Sequence, residues 1–198
     1  LKLPSGGTLT KVLRELIDCD FVRGYNTRER KIKQKDQIYQ LIDLYTLFYM
    51  QFCHPASTDT AFWTHQMGKP RQNTWYGLAF ERICMLHIPQ IKQQLGIAQI
   101  YTEYYSWRSK LSTPASQIDL LIERADNLVN LCEIKYSQAP YSITKEEDMR
   151  IRTRIADFVG ETKIRHGVLT TLITTFGLRP NPYSSIAQVQ LTMDDLFV

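Results

Sequence analysis

Apolar positions near the start of the chain recur at helical spacing. Leu9, Val12, Leu13, Leu16 and Ile17 share one side of a helix expected over residues 5–22, with Ser5 or Thr8 as its cap and Gly24 as its stop. A polar stretch follows, and residues 37–43 then read as a strand that runs into an aromatic helical segment, 44–52. Residues 55–72 lose the periodicity and carry Pro55, Ser57, Thr58, Gly68 and Pro70, the composition of a linker. Helical spacing returns over 73–88, with Phe80, Ile83, Cys84 and His87 toward a core. Pro89 interrupts it, and residues 90–95 add a short turn before Gly96.

Beyond Gly96 the period shortens. Strands are expected at 100–107, 116–122 and 131–136, then a helix over about 143–164 with Ile151, Ile155 and Phe158 on one side. Strands at 167–175 and 186–191 and a short helix from Thr192 complete the order. There is no internal repeat and no low-complexity segment.

Side chains alternate between the faces of a strand, so Gln117 and Asp119 share one face while Ile118, Leu120 and Ile122 take the other. In the next strand Glu133 and Lys135 share a face opposite Cys132, Ile134 and Tyr136. The intervening Arg124-Ala125-Asp126-Asn127 is turn-forming, so the two strands make a hairpin that gathers two carboxylates and an ammonium on one surface. Two hard anionic oxygens can hold Mg²⁺ and leave positions for water and a phosphate. The plainer alternative is a cross-strand ion pair, worth under roughly 1 kcal/mol if exposed. Strands covered on both faces seldom keep three inward charges without a use, which favours the ligand reading.

Composition changes little. The 198 residues are 43% hydrophobic and 22% charged, with a net charge of +4, which permits a nucleic-acid partner without demanding one. Cys19, Cys53, Cys84 and Cys132 form no CxxC pair, which argues against zinc and for an intracellular, cytoplasmic protein with reduced thiols. No apolar run is long enough to span a bilayer. The chain begins at Leu1 and reads as part of a longer protein; Gly68-Lys69-Pro70 is not a phosphate loop, so ATP chemistry is not expected of this chain. His54, His65, His87 and His166 are scattered, and His87 reads as a packed core residue.

A helix bearing Glu81 in Gly77-Leu78-Ala79-Phe80-Glu81, three strands, a long helix and further strand, with Gln117-Ile118-Asp119 and Glu133-Ile134-Lys135 on adjacent strands, resembles the PD-(D/E)XK, restriction-endonuclease-like nuclease superfamily. Leu3-Pro4-Ser5-Gly6-Gly7-Thr8-Leu9 and Ile38-Tyr39-Gln40-Leu41-Ile42-Asp43 are similar to winged-helix segments in the C-terminal region of a family of prokaryotic P-loop ATPases. The resemblance implies an α/β fold, a mixed sheet flanked by helices, preceded by a partial winged helix. Domains would fall at 1–56 (winged helix), 57–72 (linker) and 73–198 (nuclease-like). It implies a metal-dependent phosphodiesterase: Asp119, Glu133 and Glu81 hold Mg²⁺ or Mn²⁺, Lys135 positions the attacking water or the phosphate, and Gln117 orients the water or a ligand. DNA, an upstream ATPase domain and a second copy of the chain are the implied partners, with no membrane.

Arg28, Arg30, Lys31 and Lys33 lie in the basic stretch 23–35, which would be the wing: either a DNA contact or a solvated surface. Arg150, Arg152 and Arg154 could line a phosphate track, although Arg150 and Arg154 are also spaced to pair with Asp157 and Glu161. Tyr141 and Lys145 precede or open the long helix, where Thr144 before Glu146, Glu147 and Asp148 reads as ordinary capping. Two other functions stay open: a non-catalytic nucleic-acid-binding or regulatory scaffold, and a winged helix that packs on the ATPase domain and touches no DNA.

Overall fold

The structure is a computed structural model that describes residues 6–25, 38–53 and 58–197. The basic positions Arg28, Arg30, Lys31 and Lys33 lie outside the described residues. The chain divides into two compact units, residues 1–75 and 76–198.

In the first unit, helix α1 (Gly7–Asp18) is followed by strands β1 (Val22–Tyr25) and β2 (Ile38–Leu41), paired antiparallel with Val22 opposite Leu41 and Gly24 opposite Tyr39. The helix ends earlier than its pattern suggests. Asp20 adopts a left-handed backbone (φ 58°) that breaks the helical run, and Gly24 lies inside a strand instead of stopping a helix. Asp43 caps α2 (Leu44–Phe48) by accepting from the Thr46 N–H at 2.6 Å, and a π-helical turn (Tyr49–Cys53) continues it. The aromatic pattern of this segment has a packing purpose. Phe48 and Phe52 meet Trp63, of the short helix α3 (Phe62–His65), and Trp75 edge to face at 5.0–5.9 Å. Arg71 lies over the Phe52 ring at 4.8 Å.

In the second unit, helices α4 (Pro70–Leu86, from residue 76 onward) and α5 (Ile88–Gln94) precede three antiparallel strands, β3 (Thr102–Arg108), β4 (Gln117–Arg124) and β5 (Leu128–Lys135). Helix α6 (Lys145–Thr162) then crosses over to β6 (Gly167–Thr174), which lies parallel to β5, and β7 (Val189–Thr192) lies parallel to β6. The result is a five-stranded mixed sheet in the order β3-β4-β5-β6-β7, flanked by helices, the α/β class that the resemblance implies. Pro89 does not end the helical region; it sits in the first turn of α5, where its missing N–H costs nothing.

Each face of the sheet is covered. Phe80 and Cys84 of α4 and Ile88 and Ile91 of α5 pack on Leu120, Ile122, Cys132 and Ile134. Phe158 of α6 packs on Tyr105, Trp107, Leu121, Val129 and Leu131. Ile118 departs from the expected alternation and joins this second group, away from Leu120 and Ile122. The cause is a β-bulge. The β3–β4 register runs Tyr105 to Leu121 and then Trp107 to Ile118, so β4 spends one extra residue at Asp119–Leu120 and flips what lies beyond.

Candidate functional site

The β4–β5 hairpin turns at residues 125–127, where Asn127 takes a left-handed backbone (φ 64°) and Arg124 grips Asp126 at 2.9 Å. Its ladder begins at Glu123–Val129 and ends at Leu120–Cys132. Past that rung the strands part company. The β4 strand goes on pairing with β3 to Gln117, and β5 goes on pairing with β6 to Lys135. Asp119 and Glu133 are the first residues beyond the last shared rung, so they stand at the two lips of a fork in the sheet. Asp119 is exposed and accepts a hydrogen bond from the Gln117 amide at 2.8 Å. This is the neighbour relation that their shared face predicts.

Glu133 is buried, with a side chain only 8% exposed. It follows Val129 and Leu131 on the α6 side of the sheet, and α6 supplies its partner. Arg154 Nη1 donates to both carboxylate oxygens, at 2.7 and 2.6 Å. Lys135 Nζ lies 2.7 Å from Oε1. Burial alone would raise the Glu133 carboxyl, but the charges of Lys135 and Arg154 outweigh it and hold the group below its ordinary range.

Glu81 stands on α4, the helix whose Phe80 and Cys84 pack on the other face of the sheet. Burial, and next the negative charge of Asp119, push its carboxyl up; Arg82 and Lys135 pull it back, and Glu133 adds a smaller push. Glu81 therefore feels all three of the other predicted residues, Asp119 most strongly.

The α6 side of the fork is a pocket lined by Glu133, Lys135, Tyr141, Glu147, Arg150 and Arg154. Thr144 and Glu147 form a full capping box, each accepting from the other's backbone N–H at 3.2 Å, which fixes the first turn of α6. The Tyr141 hydroxyl donates to Glu147, and burial together with that bond raises its pKa. Arg150 sits 3.9 Å from Glu147, and Arg152 is paired outward with Asp148 at 2.8 and 3.0 Å. Asp157 and Glu161 do not hold Arg150 or Arg154 in the way their spacing suggests. They accept from Ser116 and Ser109 and fasten the loop between β3 and β4 to α6. Arg154 is thus the member of the site that the sequence pattern undervalues. The signal was present: it lies three residues after Ile151 and four before Phe158, on the buried stripe of α6, where an unpartnered guanidinium would be costly.

The donors have the chemistry of a hard-cation site, since all are carboxylates. Their arrangement does not fit a metal ion. Among the described residues no group of three or more His, Cys, Asp or Glu side chains is spaced to hold one. One physical reason is visible: both Glu133 oxygens are taken by Arg154. Within residues 76–198 the histidines and cysteines make other contacts. His87 Nδ1 donates to Ile83 O (2.8 Å) and the ring meets Phe197 edge to face, and His166 is 3.5 Å from Glu123. Cys84 and Cys132 are free and buried in the core, and burial pushes the Cys84 thiol up to about 12.

No family model matches the sequence. No curated protein matches it either. One solved structure, a protein of unknown function, AF1548, is similar at 15% identity with a TM-score of 0.40; the likeness covers 58% of this chain and 64% of that one. Among the described residues no helix is long and apolar enough to cross a membrane.

Proposed function

We propose that residues 76–198 form a phosphodiester-cleaving domain of the restriction-endonuclease-like kind, acting on DNA. One observation carries the reading: Asp119 and Glu133 are the first residues past the last rung that β4 and β5 share, and Lys135 Nζ lies 2.7 Å from Glu133 Oε1 at that fork. A hydrolytic site on a phosphodiester needs a positive charge where the phosphorane gathers negative charge and a base for the attacking water. Lys135 supplies the first, at the rim of a pocket that also holds Arg150 and Arg154. Asp119, exposed and held by Gln117, supplies the second. Burial first, and the charge of Asp119 next, raise the Glu81 carboxyl beside them. The expectation of Mg²⁺ or Mn²⁺ stands apart from these assignments: with Glu133 saturated by Arg154 and Lys135, the carboxylates do not fit a metal, and the roles above belong to the protein's own groups.

The test is cleavage of a DNA substrate by wild type and Asp119→Ala, with Mg²⁺ or Mn²⁺ supplied. Loss of cleavage by on the order of 100-fold or more is expected. Undiminished cleavage by the variant in a clean preparation overturns the assignment. A second reading has the domain bind nucleic acid without cutting it. What favours it is the same saturated Glu133, and it requires salt-dependent DNA binding that ignores added metal.

A further inference from the structure

Strand β5 sends two kinds of side chain to its two faces at the fork. Lys135 lies on the α6 side with Glu133, in the pocket that Arg150 and Arg154 also line. Tyr136 points the other way, as alternation along a strand requires, and packs against the cluster that holds Phe80, Cys84, Cys132 and Ile134. There it meets Tyr76, on the same helix as Glu81. The ring centroids are 5.1 Å apart and the planes are inclined by 32°, closer to stacked than to edge-on. Both rings are only half-buried, whereas Phe80, Cys84 and Cys132 are fully enclosed and already join α4 to the sheet. Past Cys132, β5 no longer pairs with β4, so the edge between Lys135 and the tyrosines is free on that side.

We propose that Tyr76 and Tyr136 form a stacking platform for an unpaired nucleobase, so that the nucleotide held at the fork is one freed from the duplex: a single strand or a frayed end. The inference rests on the phosphodiester reading above and names the form of its substrate. A pair of stacked rings that keeps contact with solvent extends its stack by one more planar ring, and a base supplies that ring. Inside a closed duplex both faces of a base are taken by its neighbours, and reaching a tyrosine would first cost unstacking. A nucleotide that straddles the free edge of β5 puts its phosphate at Lys135 and its base on the tyrosines. Because every base has a π-face, the platform selects unpaired over paired nucleotides and not one sequence over another. Tyrosine suits the place better than phenylalanine, since its ring stacks while its hydroxyl stays in water.

The experiment is fluorescence-anisotropy binding of the full chain, at one fixed salt concentration, to three labelled DNAs: a single-stranded oligonucleotide, an abasic strand of the same length, and the duplex. The abasic strand keeps every phosphate and removes every base. Wild type should bind the base-bearing strand about tenfold more tightly than the abasic one. Tyr136→Phe keeps the ring and should preserve that preference. Tyr136→Leu and Tyr76→Leu, which keep an apolar side chain, should each cut it to less than about threefold and leave affinity for the abasic strand and the duplex unchanged. A role in packing alone would lower all three affinities together. Circular dichroism and melting confirm folding, and one folded leucine variant suffices. Equal affinity of wild type for the base-bearing and abasic strands overturns the platform and leaves the phosphodiester reading intact. So does a preference that survives in a folded leucine variant, or a leucine variant that loses as much affinity for the duplex as for the single strand. Failure of wild type to bind any of the three DNAs overturns the phosphodiester reading, and the platform with it.

Discussion

Glu81 and Glu133 are carboxylates at one fork, and their environments drive them in opposite directions. Glu133 is held below its ordinary value of 4.5 because Lys135 and Arg154 outweigh its burial; Glu81 is held above 4.5 by burial and by Asp119. The pH consequences have opposite signs. A lowered folded-state pKa means that Glu133 contributes stability fully above pH 4.5, which is lost as pH falls through its folded value. Glu133→Gln should cost about 1–3 kcal/mol at pH 7, by urea unfolding, and the difference from wild type should shrink in acid. A raised folded-state pKa means that charged Glu81 destabilises the fold above its folded value, and the penalty vanishes below 4.5. Glu81→Gln should therefore raise the melting temperature at pH 7 and leave it unchanged near pH 3.5. Both carboxylates were legible as site candidates from residue type and spacing. Their opposite bias was not, because it depends on partners brought from α4 and α6.

At the scale of elements, α6 carries the most consequence for the site. Its start is written in the sequence: Thr144 followed by Glu147 is a capping box, and the box is formed. Thr144→Ala should cost about 1 kcal/mol in denaturant unfolding and loosen the turn that positions Tyr141 and Glu147. Its end is not written in the sequence. Lys163 takes the left-handed C-terminal position (φ 53°) that glycine usually fills, so no glycine marks the stop. Lys163→Gly should stabilise the protein by up to about 1 kcal/mol, read as a higher urea midpoint with unchanged slope. In β4, Gln117 through Ile122 reads as plain alternation, and only pairing with β3 reveals the extra residue. The bulge turns Ile118 toward Trp107 and α6 while leaving Asp119 exposed at the fork.

For the whole molecule, the net charge of +4 becomes informative if the positive charges act together on a polyanion. Replacing Arg28, Arg30 and Lys31 with Gln should flatten the slope of log K for DNA against log salt by about 2–3 if those residues contact phosphates. An unchanged slope would assign the stretch to solvent or to a protein partner. Arg150 and Arg154 belong to a different part of the chain and line the pocket beside Glu133, and replacing them tests that pocket's own share of the slope. The two effects can therefore be measured separately.

The order and type of nearly every element in residues 76–198 followed from the sequence alone. Helical and strand periods are local properties, and burying one side of each element fixes which of its residues turn inward. So did the placement of Asp119, Glu133 and Lys135 on neighbouring strands, since a three-residue turn joins them. How the faces of different elements meet lies beyond any local period. The bulge in β4, the packing of the Glu81-bearing helix on one face of the sheet, and the capture of Glu133 by an arginine 21 residues away all depend on register and packing between elements distant in sequence. A period specifies a side chain's direction relative to its own element, and not the group it meets across the core.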